Sequence, residues 1–221
     1  MQLLNVLQLL SIWSILLPFC VGIIIIKRLD FDSKIIFMLV ILGMVPQILS
    51  NEIFKITAFK NLTYNLYIPF EFACYAILFN KKFILERVKR IFYSTIIFFA
   101  LISLFFVLKF NITSFFLNEW IIFNNLIQLI WAGVYLVQVY WVDDLEFDKR
   151  EPFFWYLIAI ICYTSCTTVY YSLWHIILSK SFDHFKFVRG IHHVFNISLY
   201  LLFTVGLLMN KKKNRFNGDF C

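Results

Sequence analysis

The sequence predicts an all-α membrane protein, a bundle of seven transmembrane helices with almost nothing outside the bilayer. The 221 residues are 62% hydrophobic and have a mean hydropathy of +0.81, whereas soluble domains are about 45–50% apolar. Charged residues make up 15% of the chain, and they cluster between long apolar runs instead of alternating with apolar residues. Both observations are typical of a polytopic membrane protein.

Each predicted helix is one apolar run, because about 20 apolar residues are needed to cross the hydrocarbon core. With short connections these runs use the whole length, so we expect a single membrane domain over 1–210 and a short basic cytoplasmic tail at 211–221. The predicted helices are Leu3–Ile26, Ile35–Phe54, Leu62–Asn80, Ile91–Phe110, Trp120–Val142, Phe153–Leu178 and Phe187–Met209.

Two of the apolar runs have features that bear on whether they form complete helices. Leu3–Ile26 lacks the basic segment and the small-residue cleavage site of a signal peptide, so we expect it to be retained as a helix. Pro46 and the Asn51-Glu52 pair interrupt the second run. Because proline is tolerated in membrane helices whose neighbours satisfy the freed carbonyl, we expect a kink and not a break.

The distribution of Lys and Arg predicts the orientation. Alternate connections carry fourteen basic residues on one side and six on the other, and the richer side is cytoplasmic by the positive-inside rule. The N-terminus is therefore predicted outside and the C-terminus inside. The net charge of +7 lies at helix ends, where anionic headgroups explain it, so we expect membrane lipids as partners and no nucleic acid.

Glu71 is the first candidate functional residue. It lies about nine residues, or about 14 Å, below the outer end of the third predicted helix. A carboxylate at that depth costs several kcal/mol, so it must be protonated, partnered or facing water. Two interpretations stay open: a functional group, or a carboxyl that only holds a neighbouring helix.

A polar stripe marks the fifth predicted helix. Its members share one face at 4-3-4-3 spacing, which must point into the bundle. They are Asn124, Gln128, Trp131, Tyr135 and Gln138. Hydrogen bonding between helices is the favoured role of Gln138, while Asn124 and Gln128 lie deeper, toward Glu71.

Polar residues of the last two helices lie at similar depth in the predicted outer leaflet. The sequence therefore predicts an outward-facing polar and aromatic pocket, lined by Asn65, Glu71, Asn124, Gln128, Tyr163, Thr167, Tyr171, His175, His192 and Asn196. The alternatives are hydrogen bonds between helices and interfacial side chains that snorkel to the surface.

No metal or cofactor is predicted. Histidines and carboxylates at one depth resemble a zinc donor set, but the chain has no H-x-x-x-H motif. Of the five cysteines, four lie inside apolar runs and none forms a C-x-x-C pair. They fit small buried hydrophobic residues better than a disulfide framework.

Three stretches carry a resemblance to a known family. They are Asn61 to Glu71, reading Asn-Leu-x-Tyr-Asn-Leu-Tyr-x-Pro-x-Glu; Pro152-Phe-Phe-Trp155 with Tyr163 and Ser165; and His192, His193 and Asn196. The chain resembles an uncharacterised family of small seven-helix inner-membrane proteins of Gram-negative bacteria. Ala159 and Cys166 stand where that family has glycine. The resemblance implies a location in the bacterial inner membrane and a sensor histidine kinase as a partner, because family members are often encoded beside such kinases.

These patterns favour a sensory or receptor-like accessory protein that binds a small molecule or a partner helix, and a non-enzymatic role. The runner-up is an intramembrane lipid hydrolase that uses Glu71 with His175 or His192. A small-solute transporter comes third, because Pro46 and Pro69 are not symmetrically placed as inverted repeats would require. The oligomeric state stays open.

Overall fold

The computed structural model describes the backbone of residues 2–48, 57–110, 117–142, 148–173 and 182–216, and the side chains of 4–47, 61–110, 117–142, 148–173 and 187–210. Within these ranges the chain forms helices and no strand. In chain order they are α1 (Gln2–Trp13), α2 (Leu16–Ile25), a 3-10 turn (Ile26–Arg28), α3 (Phe31–Ile48), α4 (Thr57–Asn80), α5 (Glu86–Lys109), α6 (Asn118–Trp141), α7 (Pro152–Ser172) and α8 (Phe182–Phe216).

Six stretches of the described chain are long and apolar enough to cross a membrane. They are Leu4–Arg28, Asn61–Asn80, Glu86–Lys109, Asn118–Trp141, Pro152–Ser172 and Phe187–Asn210. By the length and composition of its helices, the chain is therefore a multi-pass membrane protein. The predicted second span, Ile35–Phe54, is not among the six, and its last residues lie outside the described ranges.

The first predicted helix is interrupted near its middle. Pro18 has no N–H to donate to the Ser14 carbonyl, and its ring crowds that oxygen. The Leu17 amide donates to the Ser14 carbonyl instead, at 3.2 Å, and α1 and α2 are separate helices. The prediction of one continuous helix over Leu3–Ile26 was therefore wrong in this detail.

Other helix ends follow from local chemistry. The Asp30 carboxylate accepts a hydrogen bond from the Ser33 amide at 2.9 Å, which caps the start of α3. Pro46 lies inside α3, so the helix continues through it as predicted. Pro152 opens α7 at the first-turn position that tolerates proline. This helix ends at Ser172, six residues before the predicted end at Leu178.

The contacts between described residues divide the chain into two units. Unit 1 comprises Met1–Val40 and Glu146–Cys221, and unit 2 comprises Ile41–Leu145. In unit 1, α8 packs along α7 and also against α1 and α2. In unit 2, α4, α5 and α6 pack against one another in pairs. The expectation of one membrane domain over 1–210 with a tail at 211–221 stays a prediction.

A buried group of three hydrogen-bonded polar side chains joins α3, α7 and α8 in unit 1. The Ser33 and Tyr156 hydroxyls are hydrogen bonded at 2.8 Å, and the Asn210 amide donates to the Ser33 hydroxyl at 3.1 Å. The Tyr156 ring lies directly against the backbone of Gly206, where a Cβ atom would overlap its Cε1. A glycine is therefore required at this close approach of α7 and α8.

Aromatic rings form the core of unit 2. Trp131 is buried and lies 5.0 Å from Phe72, 4.8 Å from Phe92 and 6.0 Å from Phe79 between ring centroids. Its indole N–H donates to the Thr95 hydroxyl at 2.8 Å, so the one polar atom of the ring is satisfied. The core thus fixes α6 against both α4 and α5.

The outer surface of α5 is apolar. Ile97, Phe98, Leu101, Leu104 and Leu108 are all more than half exposed. Such a continuous face is unfavourable in water but matches a hydrocarbon solvent.

Candidate functional site

Glu71 and Asn124 meet inside unit 2. The Asn124 amide donates a hydrogen bond of 2.8 Å to the Glu71 carboxylate, which joins α4 to α6. Asn124 is completely buried, and its carbonyl oxygen has no hydrogen-bond partner within the described ranges. The contact leaves the Asn124 carbonyl oxygen available to a further group.

Gln128 lies one helical turn beyond Asn124, on the same face of α6, and beside the Glu71 carboxyl group. Its side chain is completely buried. Neither its amide nitrogen nor its amide oxygen makes a hydrogen bond to a described residue. An unsatisfied buried polar group costs about 1–3 kcal/mol, so a further group that hydrogen bonds to these two atoms would stabilise them. We refer to Glu71, Asn124 and Gln128 as the Glu71 cluster.

The sequence prediction missed Asn125, which adjoins the Glu71 cluster in the chain. Its side chain is buried, and its amide nitrogen has no hydrogen-bond partner among the described residues. Two consecutive asparagines in an apolar run are visible in the sequence, but the helical stripe selected only Asn124. Within little more than one turn, α6 therefore carries three buried amides that described groups satisfy only in part.

Asn65 makes a hydrogen bond that the sequence did not predict, and its assignment to the pocket stays a prediction. It is completely buried, and its carbonyl oxygen accepts a hydrogen bond from the Leu117 amide at 3.3 Å. Leu117 is the residue immediately before α6, so this bond satisfies one of the free amides at the helix start. Asn65 ties α4 to the start of α6, which is an architectural contact.

Gln138 lies on the same helix as Gln128, but both of its amide atoms have hydrogen-bond partners. Its carbonyl oxygen accepts from the Ile84 amide at 2.9 Å and from the Leu85 amide at 3.4 Å. Its amide nitrogen donates to the Lys82 carbonyl at 2.8 Å. Gln138 thus holds the connection between α4 and α5, and the favoured structural role of this residue is confirmed.

In unit 1, predicted site residues of α7 surround His192 of α8. The His192 ring lies 6.2 Å from the Tyr163 ring and 6.2 Å from the Tyr171 ring between centroids. It stacks on Tyr170, which was not predicted, at 4.6 Å and an interplanar angle of 13°. Tyr163, Tyr171 and His192 therefore come together as one aromatic group.

Three further predicted residues fall in or near unit 1. Thr167 is buried on α7, one turn from both Tyr163 and Tyr171, and its hydroxyl has no partner among the described residues. Asn196 instead binds α1, with its amide donating to the Ser11 hydroxyl at 2.8 Å. His175 lies outside the described residues.

The described ranges contain no group of three or more His, Cys, Asp or Glu side chains that could hold a metal ion. The chemistry they do offer is hydrogen bonding: carboxylate and amide groups in unit 2, and imidazole, hydroxyl and guanidinium groups in unit 1. No family model matches the chain, and neither the curated proteins nor the solved structures contain a significant match to it.

Proposed function

We propose that this chain is a receptor-like sensory component of a membrane that binds a small polar molecule at the Glu71 cluster. The observation that carries the proposal is Gln128, a completely buried side chain whose two amide atoms have no hydrogen-bond partner in the described structure. Buried polar groups in native proteins are nearly always paired. A bound molecule would complete the pairing.

The chemistry of the cluster limits the ligand. The Asn124 and Gln128 carbonyl oxygens and the Glu71 carboxylate accept hydrogen bonds, while the Gln128 amide nitrogen has two N–H groups to donate. A ligand with several hydrogen-bond donors and at least one acceptor fits this arrangement. The buried rings of Phe72 and Trp131 lie within a turn of the cluster on α4 and α6, and such apolar walls with a few polar groups are typical of small-molecule sites.

The proposal includes seven spans, with the N-terminus outside and the site open to the outside. The excess of Lys and Arg on alternate connections supports this orientation. It places the connection between α4 and α5, with Lys81 and Lys82 exposed or partly exposed, on the cytoplasmic side. We further propose, on the family resemblance alone, that this surface contacts a sensor histidine kinase in a bacterial inner membrane.

The two glutamines of α6 supply a matched test. Gln138→Leu removes three hydrogen bonds and leaves backbone groups unpaired, so it should lower the unfolding temperature of the purified protein. Gln128→Leu removes a side chain whose polar atoms are unpaired, so the unliganded protein should keep or raise its unfolding temperature. Equal losses in both variants would show that Gln128 only holds helices together.

A ligand screen completes the test. Compounds are selected that raise the unfolding temperature of the wild-type protein in detergent. A genuine site ligand should lose its effect in Gln128→Leu and keep it in a Gly133→Ala control, because Gly133 faces open space on the same helix. Stabilisation without chemical change of the compound supports a receptor, whereas turnover would favour the hydrolase.

A further inference from the structure

An arginine without a described acid partner lies at the end of the last span. Arg189 is the third residue of the span Phe187–Asn210. Its guanidinium donates to the Gln8 side-chain carbonyl at 2.9 Å, which is a neutral partner. Guanidinium has five N–H donors, so the one bond to a glutamine leaves most of this capacity, and the positive charge, unmatched among the residues that the structure describes.

Two histidines share the helix face of Arg189, at the i+3 and i+4 positions. The charge of Arg189 acts on both His192 and His193. The His192 Nδ1 and His193 Nε2 atoms are buried and have no hydrogen-bond partner among the described residues. Gln8, Arg189, His192 and His193 are called the Arg189 cluster below.

The described carboxylates of unit 1 lie elsewhere. Glu151 precedes α7, about 28 Å along the helix axis from Tyr170, which is the residue that stacks on His192. Asp30 and Asp32 act on Tyr156, near that same distant end of α7, and Asp148 belongs to the turn before it. None of them neutralises Arg189.

We propose that the Arg189 cluster binds an anionic phosphate group, either in a lipid headgroup or as a free anion. Arginine matches the oxygens of a phosphate with paired, charge-assisted hydrogen bonds. Each histidine adds one nitrogen, and the Tyr170 ring holds the His192 imidazole in place by stacking. Arg189 also lies where a span ends, which is the depth of headgroup phosphates. This assignment is independent of the Glu71 cluster, since it uses other residues in the other unit.

The test uses the full-length protein purified in a neutral detergent. Unfolding temperature is measured against increasing phosphatidylglycerol, phosphatidylcholine or inorganic phosphate. The wild-type protein should respond to phosphatidylglycerol at roughly tenfold lower concentration than to phosphatidylcholine, as one charge-assisted contact predicts. A response to phosphatidylglycerol alone identifies the lipid as the source, and an equal response to inorganic phosphate identifies the free anion.

Three variants decide whether the Arg189 cluster is responsible. Arg189→Gln removes the charge, and His192→Phe keeps a ring that can stack on Tyr170 while removing both nitrogens. Each should abolish the preference for the anionic probe. Lys109→Gln removes a cation at the end of another span, where Lys109 lies over the Phe105 ring, and should leave the preference unchanged. Should Arg189→Gln not fold, His192→Phe carries the test.

Two results would overturn the proposal. One is a wild-type protein that responds to neither anionic probe, or whose response survives both Arg189→Gln and His192→Phe. The other concerns Asp183, whose side chain lies outside the described residues. Asp183→Asn should leave the response unchanged, and a clear gain in response would identify this carboxylate as the occupant of the cluster.

Discussion

The Asn124 amide donates a 2.8 Å hydrogen bond to the Glu71 carboxylate, across 53 positions of sequence. This bond connects two of the predicted site residues. It joins α4 to α6 at a point where both helices carry further polar atoms. The strength of the pair therefore bears directly on whether the cluster is rigid enough to hold a ligand.

A double-mutant cycle measures that strength. Glu71→Leu and Asn124→Leu each leave the other partner buried with fewer bonds, so each should lower the free energy of unfolding by about 1–3 kcal/mol. The double variant should lose clearly less than the sum, because neither polar group remains. Chemical denaturation in mixed micelles gives the four values. Additive losses would mean that the two side chains do not interact in the folded protein.

The Glu71→Gln variant is a conservative control for that cycle, because it removes the charge and keeps the shape of the side chain. The amide oxygen of glutamine can still accept from Asn124, so the variant should fold with a stability close to that of the wild-type protein. A loss as large as that of Glu71→Leu would indicate that the charge, and not the hydrogen bond, holds the pair together.

The glycines of α8 and α6 give a second prediction. Gly206→Ala would place a methyl group inside the Tyr156 ring, which cannot move aside while its hydroxyl is bonded to Ser33. We expect a loss of about 1–3 kcal/mol, as in other overpacked cores. Gly133 has no atom within 4 Å of an added Cβ, so Gly133→Ala should be neutral or stabilising by up to about 1 kcal/mol.

Thermal unfolding of the two glycine variants, side by side, checks this prediction. If Gly206→Ala is as stable as Gly133→Ala, α7 and α8 are further apart than described. Partial recovery of stability in Gly206→Ala with Tyr156→Leu would locate the clash at the ring.

The third prediction concerns membrane orientation. Reporter fusions after Arg90 and after Lys213 should be active only in a reporter that works in the cytoplasm, and a fusion after Lys109 should show the opposite behaviour. The asymmetry of Lys and Arg is the physical reason. The same result at all three positions would contradict the seven-span arrangement.

Helix positions were predictable because bilayer thickness sets the length of an apolar run. The residues at which helices begin and end were harder to predict. α5 begins at Glu86, five residues before its apolar run, since polar residues extend a helix beyond the membrane at no cost. The break before α2 could have been read from Pro18, whose ring excludes a bond to the Ser14 carbonyl.

The candidate site was predicted only in part. The period of the helix placed five residues on one face. Asn124, Gln128, Trp131 and Gln138 are buried as expected, whereas Tyr135 is partly exposed. Periodicity cannot say which polar atoms find partners, since this depends on helices distant in sequence. The sequence separated Gln128 from Gln138 only by depth, and the partners that satisfy Gln138 come from the Lys82–Leu85 connection. For the same reason, the sequence could not predict that Asn65 accepts a hydrogen bond from the Leu117 amide.

Gln138 also links the position of α6 to the connection between α4 and α5. Ten residues of continuous helix, about 15 Å, separate it from Gln128, and its three hydrogen bonds clamp the backbone of Lys82, Ile84 and Leu85. Any rotation or tilt of α6 that begins at Gln128 must either break these bonds or move the turn between α4 and α5. These bonds therefore couple the position of α6 to that of a short basic turn.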